Sequence, residues 1–261
     1  MRRVFSALIL CAFAGTACAA AGELVSLPTR SGVTQPIYVE TATAHPPWVV
    51  VLFGGNSGNL HLTDTGATTL KGNFLIRTAH YWVDRGDASV LFDVPSDVAD
   101  ADDIFRLGMD AYEDIKATVA ALRQRFPRSR IALVGTSRGT ASVGNALRRD
   151  PALADAWVLT SPVSLAYHGS LGIADLDADG TRYRVLVVSN RHDGCPTSYS
   201  AGGVRLAERN HFDLVLVDST EGGGTRKADC GGHSPHGFLG IEQQVLGRID
   251  DWLNGQAPQA R

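Results

Sequence analysis

Short apolar runs alternate along this chain with longer stretches in which apolar residues return every three or four positions. The runs are WVVVLF at 48–53, ASVLF at 88–92, IALV at 131–134, AWVLT at 156–160, YRVLVVS at 183–189 and LVLV at 214–217. A continuous run such as WVVVLF reads as a strand covered on both faces, as in a parallel sheet. Helical spacing follows at 74–85, with Leu75, Ile76, Ala79, Trp82 and Val83 ahead of Gly86. A long helix is predicted after Asp103, with Ile104, Leu107, Ala111, Ile115, Val119, Leu122 and Phe126 on one stripe and Pro127 as its stop. A further helix runs through Ala141, Val143 and Ala146, and a last one carries Ile241, Val245, Ile249, Trp252 and Leu253. Residues 23–40 differ: ELVSL and TQPIYVE flank a turn-rich centre at 28–32, which predicts a β-hairpin. Strand and helix in repetition predict an α/β fold. Its sheet is mostly parallel and doubly wound, with an antiparallel N-terminal hairpin and helices on both faces.

Composition places this pattern in one domain. The chain has 261 residues, 44% hydrophobic and 20% charged, enough for one well-buried core. No internal repeat or second domain is visible, so the domain is placed at 22–255 and residues 256–261 are a frayed tail. With 24 Lys and Arg against 27 Asp and Glu the net charge is −3, which excludes the basic surface that nucleic-acid binding needs.

The N-terminus reads as a signal peptide over residues 1–21. Arg2 and Arg3 precede the apolar ALILCAFA at 7–14, and Ala17-Cys18-Ala19-Ala20-Ala21 offers an A-x-A cleavage site. The apolar segment is too short to span a bilayer, so no stable membrane insertion is expected once it is removed. Arg2-Arg3-Val4-Phe5 is a faint twin-arginine signal and Gly15-Thr16-Ala17-Cys18 a poor lipobox, which leaves the general secretory route. A bacterial periplasmic or secreted protein is expected. Cys11 and Cys18 leave with the leader, and Cys195 and Cys230 remain as a candidate disulfide in an oxidising compartment.

The candidate chemistry centres on residues 130–145, RIALVGTSRGTASVGN. Here Gly135-Thr136-Ser137-Arg138-Gly139 stands between a buried strand and a helix. The pentapeptide alone is common, and its context gives it meaning. Small residues on both sides let strand and helix approach while the serine takes a strained conformation that lifts its hydroxyl above the sheet. The helix N-terminus points free N–H groups at the same spot.

This arrangement resembles the nucleophile elbow of the α/β-hydrolase superfamily, and the likeness runs from about residue 23 to 255. It implies the chain order nucleophile, acid, histidine. Ser137 matches the nucleophile, and Asp193, in Asn190-Arg191-His192-Asp193-Gly194-Cys195, matches the acid. His236, before Gly237-Phe238 and the last helix, matches the base. Asp218 is the runner-up acid and His233 the alternative base, while His192 reads as structural or pocket-lining. The amide of Arg138 and one from the loop Gly54-Gly55-Asn56-Ser57-Gly58 would form the oxyanion hole. Phe53 stands where the family's HGGG form has His and Asn56 where it has Gly, so Gly55 and Asn56 both stay open as the second donor. The Arg138 side chain would either attract an acidic substrate or enter an internal ion pair. A Cys195–Cys230 bridge would tie the acid loop to the histidine loop.

Two acidic clusters invite a metal reading. Asp97, Asp100, Asp102 and Asp103 read better as helix-start carboxylates. Asp175 to Gly180 copies half an EF-hand loop, but Leu186 stands where the bidentate Glu belongs. No metal or other cofactor is called for. Residues 161–181 are the longest insertion available for a lid. The resemblance therefore implies an exported serine hydrolase, with carboxylic ester hydrolysis the first expectation and a small ester or acyl compound as substrate. A secreted peptidase, an acyltransferase or a non-catalytic binding protein on the same scaffold are the alternatives.

Overall fold

The computed structural model describes residues 21–166, 172–223 and 230–256. The expected hairpin is there: β1 (Ala21–Arg30) and β2 (Val33–Thr41) pair antiparallel, with Ala21 opposite Thr41. The strand thus includes Ala21, which the sequence reading assigns to the leader; the rest of the expected leader, residues 1–20, lies outside the described residues, as do 257–261 of the expected tail. Next come β3 (Trp48–Phe53), the small ribbon β4 (Leu62–Thr63) and β5 (Gly66–Ala67), α1 (Phe74–Arg77), α2 (His80–Asp84) and β6 (Ala88–Phe92). Then follow α3 (Asp103–Leu107), α4 (Met109–Arg125), β7 (Arg130–Thr136), α5 (Gly139–Arg149) and β8 (Ala156–Thr160). β9 (Val185–Asn190), α6 (Ser200–Asn210), β10 (Asp213–Val217), a 3-10 turn (Pro235–Gly237) and α7 (Glu242–Leu253) complete the order.

Eight strands form one sheet in the order β1-β2-β6-β3-β7-β8-β9-β10, parallel from β6 to β10. Alternate residues of each central strand feed opposite cores. Val49, Val51 and Phe53 join α4, α5 and α6 on one face. Trp48, Val50 and Leu52 join α1, α2 and α7 on the other. Runs that do not alternate in sequence are therefore what a sheet covered on both sides requires. After β3 the chain crosses to β6 on one side and then returns to β7 on the other, which opens a crevice at the C-terminal ends of β3 and β7.

The helices depart from the sequence pattern in three places. The 74–85 helix breaks at Thr78, whose hydroxyl bonds the Phe74 carbonyl at 2.7 Å. The stripe from Ile104 breaks at Gly108, which is extended at φ −75° and ψ 170°, and Ile104 is left 74% exposed. The third departure is α6, unanticipated because it begins with paired glycines that disfavour helix. Packing explains the glycines: a Cβ on Gly203 would lie 2.5 Å from Ser189 Oγ of β9. The last two strands also shift by a residue or two, β9 starting at Val185 and β10 at Asp213.

The acidic clusters have protein partners. Asp97 takes a bidentate pair of hydrogen bonds from Arg30, and Asp102 caps α3 through the Phe105 amide at 2.7 Å. Asp175 pairs with Arg148, Asp179 closes a turn with Thr181, and Leu186 is buried in β9. Among the described residues, no helix is long and apolar enough to cross a membrane.

Candidate active site

Ser137 stands at the crevice, directly after β7. Its φ is +53°, a left-handed value that costs a residue with a side chain on the order of 1 kcal/mol or more. Its neighbours enforce the turn. The Ser137 amide donates to Thr160 O at 3.0 Å, and its carbonyl accepts from the amide and hydroxyl of Thr140 at 2.9 and 2.6 Å. Both flanking glycines are steric necessities. A Cβ on Gly135 would lie 2.6 Å from Gly139 O, and one on Gly139 would lie 2.1 Å from Phe53 O.

Asp193 follows β9 and His236 sits in the 3-10 turn before α7. The structure brings them together: the carboxylate oxygens lie 2.9 and 3.1 Å from His236 Nδ1, and both residues are 3% exposed. Asp193 Oδ1 also accepts the Cys195 amide at 2.9 Å, which aims the carboxylate. With that partner on Nδ1, the neutral ring carries its hydrogen there and presents a lone pair at Nε2. Among the described residues, buried Nε2 has no hydrogen-bond partner, and His236 shares a cleft wall with Ser137. The alternatives are elsewhere. Asp218 is taken by exposed His192 at 2.8 Å, and the His233 ring rests against Gly72, where a Cβ would meet Nε2 at 2.8 Å.

The cleft holds about 450 Å³. Its walls are mostly small residues, among them Gly55, Asn56, Asn73, Thr197 and the Cys195–Cys230 disulfide, with Leu70 and Phe74 its bulky apolar members. Gly55 presses on the elbow so closely that a Cβ would lie 3.0 Å from Ser137 Cβ and 3.2 Å from Thr136 O. Among the described residues, the amides of Gly55, Asn56 and Arg138 donate to no protein group. The Arg138 side chain turns to Asp103 at 2.8 Å, the internal ion pair of the two readings open for it.

The disulfide joins Cys195, buried in the acid turn, to Cys230, with Cα atoms 4.7 Å apart. The candidate residues from β9 and the histidine loop thus share a covalent tie. Three side chains that the sequence reading passed over do further tying. Asn190 Nδ2 donates to Ser219 O at 3.0 Å and Pro235 O at 3.1 Å, joining the ends of β9 and β10 to the histidine turn. Arg77 donates to Gly72 O at 2.7 Å and Gly237 O at 2.6 Å and pairs with Glu242. Arg106 is buried beneath the loop after β3. The one local signal for any of them is the position of Asn190 at a strand end.

No family model matches this sequence, and no curated protein matches it either. Solved structures do. A Xanthomonas campestris protein, XC6422, described as an α/β serine hydrolase without a lid, is similar at TM-score 0.55 and 16% identity over 92% of this chain and 97% of that one. The Pyrococcus furiosus esterase Pf2001 is similar at TM-score 0.58 and 14% identity, over 96% and 98% of the two chains. Est1E from Butyrivibrio proteoclasticus reaches 0.60 at 14% identity, over 88% and 97%. At these identities the likeness is one of fold, and the chain has the α/β-hydrolase fold.

Proposed function

We propose that this protein is an exported serine hydrolase that cleaves carboxylic esters through an acyl-enzyme on Ser137. The observation that carries the reading is one cleft with three features. Ser137 stands in a left-handed turn, the Asp193–His236 pair is buried, and His236 Nε2 has no partner among the described residues. In this reading Ser137 Oγ attacks the carbonyl carbon while His236 Nε2 takes its proton, and Asp193 stabilises the imidazolium. The proton then passes from His236 to the leaving alcohol. Water, deprotonated by the same nitrogen, releases the acid. The amides of Arg138 and of the loop after β3 hold the oxyanion.

The walls of the cleft support a substrate class. A cleft of about 450 Å³ whose bulky apolar side chains are Leu70 and Phe74 fits a small acyl group better than a long aliphatic chain. The leader-like sequence at the N-terminus and the disulfide support export, since such bridges persist in oxidising compartments.

A fluorophosphonate probe tests the assignment. The wild-type protein should be labelled on Ser137, and Ser137→Ala should lose both labelling and ester turnover, the latter by on the order of 10⁴-fold or more. Labelling that survives Ser137→Ala rules the assignment out. A series of p-nitrophenyl esters should favour short acyl chains over octanoyl and longer ones.

A further inference from the structure

The loop that borders Ser137 rests on a buried cation. Arg106, 3% exposed, lies in α3, and its guanidinium reaches three segments of the chain. Nε donates to Ala101 O at 3.0 Å, and Nη1 donates to Ser142 Oγ of α5 at 3.0 Å. Nη2 donates to two carbonyls of the loop after β3, Gly54 O at 3.3 Å and Asn56 O at 3.2 Å. Among the described residues, no carboxylate lies within ion-pair distance of it. Burial lowers its pKa to about 10, which still leaves it charged at neutral pH. A buried charge is costly, and here the compensation comes from three backbone carbonyls, one hydroxyl and the longer-range attraction of Asp103 and Asp102. The surroundings are shaped around it: a Cβ on Gly58 would lie 2.4 Å from Nη2. The nucleophile helix grips the same segment a second time, with Asn145 Nδ2 donating to the carbonyls of Arg106 at 3.0 Å and Gly108 at 2.7 Å.

Peptide geometry turns this grip into direction. In a trans peptide the C=O and the following N–H point opposite ways. Gly54 O is drawn toward Arg106, so the Gly55 N–H faces away from the guanidinium. The Asn56 N–H shares its plane with Gly55 O, which is already committed to the Gly58 amide at 3.1 Å. We propose that Arg106 is the positioning residue of the oxyanion hole, holding the loop after β3 by the Gly54 and Asn56 carbonyls and setting the Gly55 amide as its donor. Arginine suits the task because its planar fork reaches both loop carbonyls while it stays anchored on Ala101, whereas a lysine point charge cannot hold all three.

This inference rests on the serine-hydrolase reading, and the experiment separates the two. Arg106→Lys and Arg106→Gln are compared with Ser142→Ala, which removes one partner of Arg106 and leaves both loop carbonyls in its grip. Rates of p-nitrophenyl acetate hydrolysis are normalised to active sites titrated to completion with a fluorophosphonate. The expected result is a fall in kcat on the order of 10²-fold in the Gln variant, the scale set by a displaced donor, with a smaller fall in Lys. KM should stay within about threefold, as for a group acting in the transition state. Affinity for a phenylboronic acid, whose tetrahedral adduct on Ser137 places an oxygen in the same hole, should fall in step with kcat/KM. Ser142→Ala should keep a near wild-type kcat at a lower Tm. If kcat per active site stays within about threefold in both Arg106 variants while Tm drops, Arg106 is a core residue only and the proposal is overturned. The same conclusion follows if Ser142→Ala loses as much kcat as Arg106→Lys. Wild-type protein that takes no probe overturns the functional reading, and this inference with it.

Discussion

Removing the Cys195–Cys230 bridge should damage catalysis at temperatures where the fold survives. The bridge closes a segment between residues 35 apart in sequence. By the chain-entropy relation a loop of that length contributes about 4 kcal/mol, acting mostly on the unfolded state. For a domain of this size that corresponds to roughly 8–15 °C in Tm. Stability is half of the expectation. The other half is local, because Cys195 lies two residues from Asp193 and its amide donates to Asp193 Oδ1, while Cys230 opens the loop that ends in His236. The variant to use is Cys195→Ala with Cys230→Ala, which leaves no odd thiol. Its kcat, measured at about 15 °C where the fold is retained, should fall at least tenfold, the scale on which misplaced catalytic groups are felt. Dithiothreitol should do the same to the wild type. Two results refute the reasoning: mass spectrometry finding both thiols free in the purified protein, or a folded double variant with unchanged kcat.

Three other outcomes follow from single contacts. Burial raises the Asp87 carboxyl to about 6, although it accepts the Trp48 amide at 2.9 Å. Because its folded pKa lies above the unfolded one near 4, the native state holds a proton that the unfolded chain gives up. Its contribution to stability is therefore largest below about pH 4 and is lost as pH rises through about 6, by up to roughly 3 kcal/mol. Asp87→Asn should accordingly be more stable than wild type at pH 7.5 and lose that advantage at pH 4, as urea titrations at the two pH values will show. Gly139→Ala puts a methyl 2.1 Å from Phe53 O, and should cost about 1–3 kcal/mol in urea unfolding and abolish probe labelling. Arg30 pairs with Asp114, whose side chain is 1% exposed, so Arg30→Ala should cost about 3 kcal/mol. Adding Asp114→Asn should recover a measurable part of that loss.

The sheet was legible because its signal is local. A strand buried on both faces must be apolar at every position, and Trp48–Phe53 is. The placement of the candidate residues Ser137, Asp193 and His236 was legible for a related reason: strand ends and the turn before the last helix are marked by glycines and by an abrupt change of polarity. The break at Gly108 was not legible, because Ile104 fits the apolar stripe and a single glycine is tolerated within a helix. Its cause is tertiary: Asn145, from α5, donates to the Gly108 carbonyl. The tying residues were hidden by distance. Arg106 reaches Gly54 across 52 positions, and Arg77 reaches Gly237 across 160. Each looks like any arginine on a short helix. Burial is what distinguishes Arg106, and burial of a cation runs against every pattern a sequence can display.

The position of these ties has a physical logic. The Ser137 half of the cleft is built on β3 and β7, adjacent central strands with neighbours on both sides, so a buried side chain suffices to set the loop after β3. The Asp193 and His236 half hangs on β9 and β10, and β10 is the edge of the sheet. Beyond it no ladder constrains where the chain goes, and an edge is the least stable part of such a sheet. The edge half therefore carries the redundant restraints. The Asn190 fork joins β9 to Ser219 and Pro235, Arg77 fastens Gly237 to the opposite wall, Ser161 holds the His236 carbonyl at 2.7 Å, and the disulfide crosses from Cys195 to Cys230. In the proposed mechanism His236 must stay within reach of Ser137, and it is held by four contacts that a central strand would have made unnecessary. Loosening any one of them should move His236 more than it moves Ser137, so their loss should weaken proton transfer before it weakens the elbow.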